Sequence, residues 1–381
     1  MLHVFPSFEY GGQQTRFAAL ARGLGAGFSH HVVALNGEAA ARKLIPDGLS
    51  VSYASFRARK SRLASVSNIL RLRKIIREVK PDLLCTYNWG AIEAVAANRL
   101  GRNVRHIHFE DGFGPDETPE SQTPRRVLAR RFLLRRGAVV VPSRMLEETA
   151  VERWKLSADR VLRVPNGVDC ARFKTAPRPS GGAVTVGAVG ALRPEKNHAR
   201  LIRLFLKADA ARCATLIIIG DGPERARLNA LVKELGAEAR VKLPGAASAV
   251  EKAYNRFDVF ALSSDTEQAP VSLMEAMAAG LPVVSTNVGD VAQMVSGKNR
   301  ACVTEPGDDE AYVYALAHLL QSREARVKIG AENRRKAAAE FSLEKMLRTH
   351  RSLYLSMARS GAQCGARSGA KAGANAGAWR S

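Results

Sequence analysis

Two doubly wound α/β domains with parallel sheets are predicted by three observations: a length of 381 residues, a β-α-β alternation through the first half, and a restart of that alternation after a mid-chain cluster of turn residues. The chain is too long for one ordinary core and suits two domains of about 150 to 200 residues each. Two such domains imply a cleft between them. The apolar (46%) and charged (25%) fractions lie near the average for packed globular proteins and exclude a fibrous chain.

The elements follow in order. LHVFPSF reads as a strand, GGQQTRFAALARGLG as a helix and HHVVAL as a strand. Arg57 to Lys80 reads as a basic helix that Pro81 stops, and DLLCTY opens another buried strand. AIEAVAANRLG is a helix, and NVRHIHF and GAVVVPS are strands. Pro165, Asn166, Gly167, Pro177, Pro179 and Gly181-Gly182 then mark a linker. Beyond it come the strands AVTVGAVGAL, ATLIIIGDGP, RVKLPG, FDVFALSS and LPVVST, alternating with helices that include ERARLNALVKELG and VSLMEAMAAG. This places an N-terminal domain at 1–170 and a C-terminal domain at 171–342, with a helix over 343–357 as a candidate to complete the first. The Gly, Ala and Ser-rich tail, 360–381, cannot bury enough apolar surface to offset its ordering entropy and is expected to be disordered.

The net charge of +22 admits three partners: nucleic acid, an anionic membrane surface or a polyanionic substrate. Much of the excess sits in Arg57–Lys80 and Thr123–Gly137, both reading as helices with one apolar and one basic face, which suits anionic lipid as well as a solvated surface. Aromatics are few (6%) and not interleaved with the basic runs, so nucleic acid is disfavoured. No apolar run is long enough to span a membrane and the N-terminus lacks a secretory signal, so a cytoplasmic protein, peripheral on the inner face of the membrane, is expected. The five cysteines are scattered, with no C-x-x-C pair, which predicts reduced thiols and no zinc.

The richest segment is SDTEQAPVSLMEAMAAGLP, Ser264 to Pro282. Pro270 ends a polar loop and the spacing of Leu273, Met274, Met277 and Ala278 predicts a helix. Glu267 then lies in the loop and Glu275 on the first turns, while the free amides of Val271 and Ser272 suit a phosphate or pyrophosphate. Ser272-x-x-Glu275 also fits a capping box. Two acids separated by seven residues and followed by AMAAGLPVV resemble the E-x7-E motif of retaining GT-B glycosyltransferases of family 4, and the resemblance covers nearly the whole chain before the tail. It implies a GT-B fold, with two facing Rossmann-like domains, the donor mainly on the C-terminal one and the acceptor mainly on the N-terminal one. It also implies that Glu267 lies near the transferred sugar and that Glu275 binds the nucleotide's ribose. Gln268 stands where the commoner pattern has Gly.

Three further stretches converge on strand ends. VGALRPEKN offers cations to neutralise a leaving diphosphate: Lys196 is kept from the resembled pattern, Ala191 replaces its Arg, and Arg193 is a candidate substitute. EYGGQQ provides Gly11 and Gly12 for close backbone approach to a ligand at a helix start, and the resemblance implies that this loop faces the donor phosphate and the acceptor. HIHFEDGFGPDE delivers His108, Glu110 and Asp111 to a Gly-rich loop, and the resemblance assigns His108 to the transferred sugar. Leu243 in LPG is placed by the same resemblance beside the base. These readings predict a retaining enzyme that moves a sugar from a nucleoside diphosphate sugar to an acceptor hydroxyl, on a glycan or a lipid-linked acceptor in surface polysaccharide or lipopolysaccharide assembly, with no cofactor and no metal. Alternatives are a nucleotide-sugar epimerase or hydrolase of the same fold, or a non-catalytic basic binding module.

Overall fold

The computed structural model describes residues 1–59, 64–101, 103–113, 117–118, 121–173, 182–247 and 249–359, so the tail lies outside the described residues. In the N-terminal domain β1 (Leu2–Phe5), β2 (His30–Ala34), β3 (Val51–Ala54), β4 (Leu83–Tyr87), β5 (Arg105–Phe109), β6 (Ala138–Val141) and β7 (Val161–Arg163) pair in parallel, in the spatial order β3-β2-β1-β4-β5-β6-β7. In the C-terminal domain β8 (Val184–Val189), β9 (Ala214–Ile219), β10 (Val241–Gly245), β11 (Val259–Leu262), β12 (Val283–Thr286) and β13 (Val303–Thr304) take the order β10-β9-β8-β11-β12-β13. Each is the Rossmann-like order, which reverses direction once. The reversal falls between β1 and β4 in one sheet and between β8 and β11 in the other, and ligands of open α/β sheets bind beyond the strand carboxyl ends at that point.

The central strands β1 and β4 are buried along their whole length, His3 and Thr86 included, because helices cover both faces. In the first domain α1 (Gly12–Leu24) packs on one face, while α2 (Ala64–Val79), α3 (Ile92–Arg99) and α4 (Pro124–Leu134) pack on the other, followed by α5 (Arg144–Glu148). The second domain carries α6 (His198–Ala208), α7 (Arg225–Glu234), α8 (Val250–Tyr254), α9 (Val271–Ala278), α10 (Val291–Met294), α11 (Asp309–Gln321) and α12 (Arg323–Glu340). In α6 the helical spacing of Leu201, Ile202, Leu204, Phe205 and Ala208 buries one face, and the Asn197 side chain caps the start by accepting from the Arg200 amide at 3.2 Å. Truncating Phe205 there costs about 3–5 kcal/mol. The last helix, α13 (Leu343–Arg359), places Met346, Leu353 and Tyr354 in the N-terminal core.

Two expectations about the basic helices change. Arg57 to Arg59 are not helical, α2 is described from Ala64, and residues 60–63 lie outside the described residues. In α4 the division into an apolar buried face and a basic wet face fails. Arg130 is fully buried between Trp89 and Trp154, at 4.9 and 4.8 Å from the ring centres, while Leu128 and Phe132 are more than half exposed. A planar guanidinium can stack on aromatic rings and pair with buried acids at once, so it enters a core where an ammonium would not. The short strands β3, β7 and β13 lie toward sheet edges and are too brief to leave a periodic signature. Among the described residues no helix is long and apolar enough to cross a membrane.

Candidate functional site

A cavity of about 1160 Å³ opens where the carboxyl ends of both sheets meet. Its C-terminal wall begins at the switch point. The loop after β8 carries Gly190, Ala191, Arg193 and Lys196, and the loop after β11 carries Thr266, Glu267 and Gln268. Lys196 Nζ donates to Glu267 Oε1, and Ser264 Oγ donates to the same oxygen at 2.8 Å. The lysine side chain is 23% exposed and the glutamate 10%, so the pair is shielded enough to be ordered yet reachable by a ligand. The loop is also braced from behind. Gly289, at φ +58°, lets the backbone press so closely on Glu267 and Gln268 that a Cβ would sit 2.4 Å from the Glu267 carbonyl oxygen.

Beside this pair α9 starts at Val271 with Pro270 as its cap residue, and Val271, Ser272 and Glu275 line the cavity. The first amides of a helix have no intrahelical acceptor, which leaves a positive end facing the cavity. The capping-box reading fails, because Ser272 lies inside the helix and α9 has no side-chain cap. Glu275 instead accepts from the Tyr254 hydroxyl at 2.8 Å. Removal from water pushes the Glu275 carboxyl up to about 7, against the lowering effect of that hydrogen bond.

The N-terminal wall is assembled from residues far apart in sequence. Arg16 on α1 donates to both carboxylate oxygens of Asp111, at 2.7 Å for Nη2 to Oδ2, and to Asn166 Oδ1 at 3.1 Å. Burial disfavours the Arg16 charge, but Asp111 outweighs it and raises the guanidinium above its ordinary value. Asp111 is steered by its own amide, which donates to Asn88 Oδ1 at 2.8 Å. Behind it lies a buried ionic cluster in which Arg130 meets Glu117 at 3.0 Å and Glu110 at 3.5 Å. Glu117 reaches the cavity, and Arg130 holds its carboxyl below the usual range despite burial. The two walls approach at Gly112, whose Cβ position is 3.5 Å from Gln268 Cγ, and are tied at Asp290, which accepts from the amides of Arg144 at 2.6 Å and Met145 at 3.3 Å.

The structure therefore brings Gly12, Arg193, Lys196, Glu267, Val271, Ser272 and Glu275 onto one cavity. A Cβ at Gly12 would meet nothing within 4 Å, so the backbone there is open to a ligand, whereas Gly11 lies off the wall against Gln14. Two expectations are corrected. His108 is fully buried one residue before the end of β5, sharing Thr86 Oγ1 with His106 (2.8 and 2.7 Å) and facing Glu110 at 3.4 Å; the strand ends at Phe109 as expected, but the His108 ring is held in the interior, and Asp111 occupies the cavity wall instead. Leu243 packs on the C-terminal core and does not line the cavity. Arg16, Tyr254 and Asp290 had no sequence signal beyond their residue types, and Asn166 stood out only as a turn residue of the linker. Among the described residues, no group of three or more His, Cys, Asp or Glu side chains could hold a metal ion.

Comparison with known proteins bears on both walls. Residues 10–172 match the family described as Glycosyltransferase Family 4, and residues 172–336 match Glycosyl transferases group 1. N-acetyl-alpha-D-glucosaminyl L-malate synthase of Bacillus anthracis is 28% identical over 167 residues, 44% of this chain and 44% of that protein. The 2-deoxystreptamine glucosyltransferase of Streptomyces kanamyceticus is 29% identical over 201 residues, 49% of this chain and 52% of that protein. The chain thus spans about half the length of these curated relatives. The fold is that of the crystal structure of Anabaena Alr3699/HepE in complex with UDP, with a TM-score of 0.79 and 19% identity over 93% of this chain and 99% of that one.

Proposed function

We propose that this GT-B glycosyltransferase, built from a family 4 domain and a group 1 domain, moves a sugar from a nucleoside diphosphate donor to an acceptor hydroxyl with retention of anomeric configuration. The observation that carries the reading is the Lys196–Glu267 pair beside the open start of α9, on one wall of the cavity at the C-terminal switch point. When the bond between the anomeric carbon and the phosphate oxygen breaks, negative charge grows on the diphosphate. Lys196 and the amides of Val271 and Ser272 are preorganised to meet that charge, with Arg193 at the rim. Glu267, released from Lys196 as the phosphate arrives, then faces the transferred sugar. Glu275 accepts a ribose hydroxyl. UDP bound to the Anabaena neighbour, and UDP-glucose in a second structure of it, support a donor of this class. No nucleophile is assigned and no divalent metal is required in this scheme.

The acceptor side is the N-terminal wall, and Leu128 and Phe132, exposed on a helix rich in arginine, support a lipid-linked acceptor met at an anionic bilayer. Such acceptors belong to surface polysaccharide and lipopolysaccharide assembly. The test is a cell-free transfer assay with UDP-, GDP-, ADP- and TDP-sugars, with and without a chelator, reading product and anomeric configuration by NMR. A glycosylated product of retained configuration, unaffected by the chelator, is expected. Donor consumed with no glycosylated product would point to a hydrolase or epimerase instead.

A further inference from the structure

We infer that a second pocket, across the Ser7–Gly12 loop from the main cavity, is a subsite for a phosphate-bearing amphiphile, which makes the acceptor an anion joined to an apolar body. The inference rests on the sugar-transfer reading. The pocket, of about 360 Å³, lies at the carboxyl ends of β2 and β3, whose last residues Ala34 and Ala54 line it. That is the edge at which parallel sheets receive ligands. Phe8, Tyr53 and Phe56 supply aromatic surface, and Arg42 and Arg57 supply charge.

Three features make this an anion site rather than an incidental hollow. No acidic residue lines the pocket, and among the described residues neither Arg42 nor Arg57 forms an ion pair. Arg42 is held over the Tyr53 ring at 4.0 Å, which fixes the guanidinium while leaving its N–H edge free. The backbone of Arg57 is fixed as well, its carbonyl accepting from Arg71 at 2.9 Å while Arg71 covers Phe56. The Tyr53 hydroxyl is buried with no hydrogen-bond partner, and a buried hydroxyl left unpaired is costly. Two guanidinium forks and a phenol match the three oxygens of a phosphate monoester, and the aromatic surface matches its alkyl chain.

The position fits an acceptor that reaches both sites. Phe8 lines this pocket and Gly12 lines the main cavity, and four residues of chain span at most about 14 Å. The Phe8 carbonyl accepts from the Ala41 amide at 2.9 Å, which fastens the turn bearing Arg42 to the loop that separates the two.

The experiment uses the full chain with octyl phosphate, octanol and inorganic phosphate as probes, measured by calorimetry on wild type, on the double variant Arg42→Ala/Arg57→Ala and on Tyr53→Phe. Octyl phosphate is expected to bind wild type, with about tenfold or greater loss in the double variant and a smaller loss in Tyr53→Phe. Octanol and inorganic phosphate should each bind at least about tenfold more weakly than octyl phosphate. Equal octyl phosphate affinity in wild type and double variant overturns the inference. So does inorganic phosphate binding as tightly as the amphiphile, because the aromatic surface would then contribute nothing. The melting temperature with UDP, GDP, ADP and TDP is read on the same samples, and a rise with one of the four is expected in all three proteins. No rise with any of them, with octyl phosphate still bound, would sink the donor reading and leave this pocket standing.

Discussion

The C-terminal wall of the cavity holds its polar groups in pairs that a ligand can exchange, whereas the N-terminal wall locks its charges against one another. Lys196 and Glu267 meet at the cavity surface, and Glu275 is held by one phenol. Across the cavity Arg16 takes both oxygens of Asp111, and Arg130 is stacked between two tryptophans while pairing with Glu110 and Glu117. The difference fits the proposed division of labour, in which one side would trade an internal ion pair for a phosphate and the other would keep a fixed shape against which a second substrate is placed.

The largest expected effect breaks the exchangeable side. Lys196→Ala and Glu267→Gln should each lower transfer by about 10²–10³ with the melting temperature nearly kept. A fall of less than about tenfold in both would remove the pair from the chemistry. On the locked side Arg130→Met leaves Glu110 buried without its cation and Glu117 with Arg126 alone, and should cost about 3–5 kcal/mol in urea unfolding. A loss within about 0.5 kcal/mol would show that the cluster is not a structural lock.

Asp290→Ala tests the tie between the walls. It deprives the Arg144 and Met145 amides of their acceptor and should cost about 1 kcal/mol of stability. The variant keeps the Asp290 main-chain amide that donates to the Gln268 carbonyl at 3.0 Å but frees that main chain from its carboxylate tie to the other wall, so a fall in kcat larger than any rise in donor KM is expected. A change in KM alone would assign Asp290 to donor binding.

The pH dependence of Glu275 sharpens the comparison. Its folded value near 7 lies above the ordinary carboxyl value of 4.5, so its contribution to stability is fully present below about 4.5 and is lost as pH rises to about 7. The buried histidines His30, His198 and His350, all pushed down to about 4, act oppositely, losing stability as pH falls from about 6.5 to 4. The measurable quantity is therefore the difference between wild type and Glu275→Gln, where an amide oxygen still accepts from Tyr254. The variant should gain relative stability between pH 4.5 and 7, and a flat difference would contradict the shift. The smallest effect is Arg193→Ala, below about threefold in transfer, because Arg193 is well exposed and only 3.9 Å from Glu195.

The same division governs what could be read from sequence. The C-terminal wall is local: Ser264 to Glu275 is one stretch, and Lys196 ends one loop of the same switch point, so loop, helix start and acids were visible as spacing. The N-terminal wall joins positions 16, 88, 111 and 166: Asp111 stood out as a strand-end acid and Asn166 as a turn residue, but Arg16 and Asn88 look like ordinary surface residues until the sheet brings the four together. His108 illustrates the limit. The strand and its end at Phe109 were readable, but not that Thr86 on the neighbouring strand would hold the His108 ring in the interior and leave Asp111 to line the cavity. Arg130 misled for a different reason, since charge patterning cannot foresee two tryptophans from distant segments closing over a guanidinium.

The most direct test of the account is the melting temperature of the intact chain with UDP, GDP, ADP and TDP, on wild type and Lys196→Ala side by side. One nucleoside diphosphate should raise the wild-type value by roughly 3–6 °C at saturation and leave the variant nearly unmoved. No rise with any of the four, or an equal rise in both proteins, would contradict the assignment of the Lys196–Glu267 wall as the donor site.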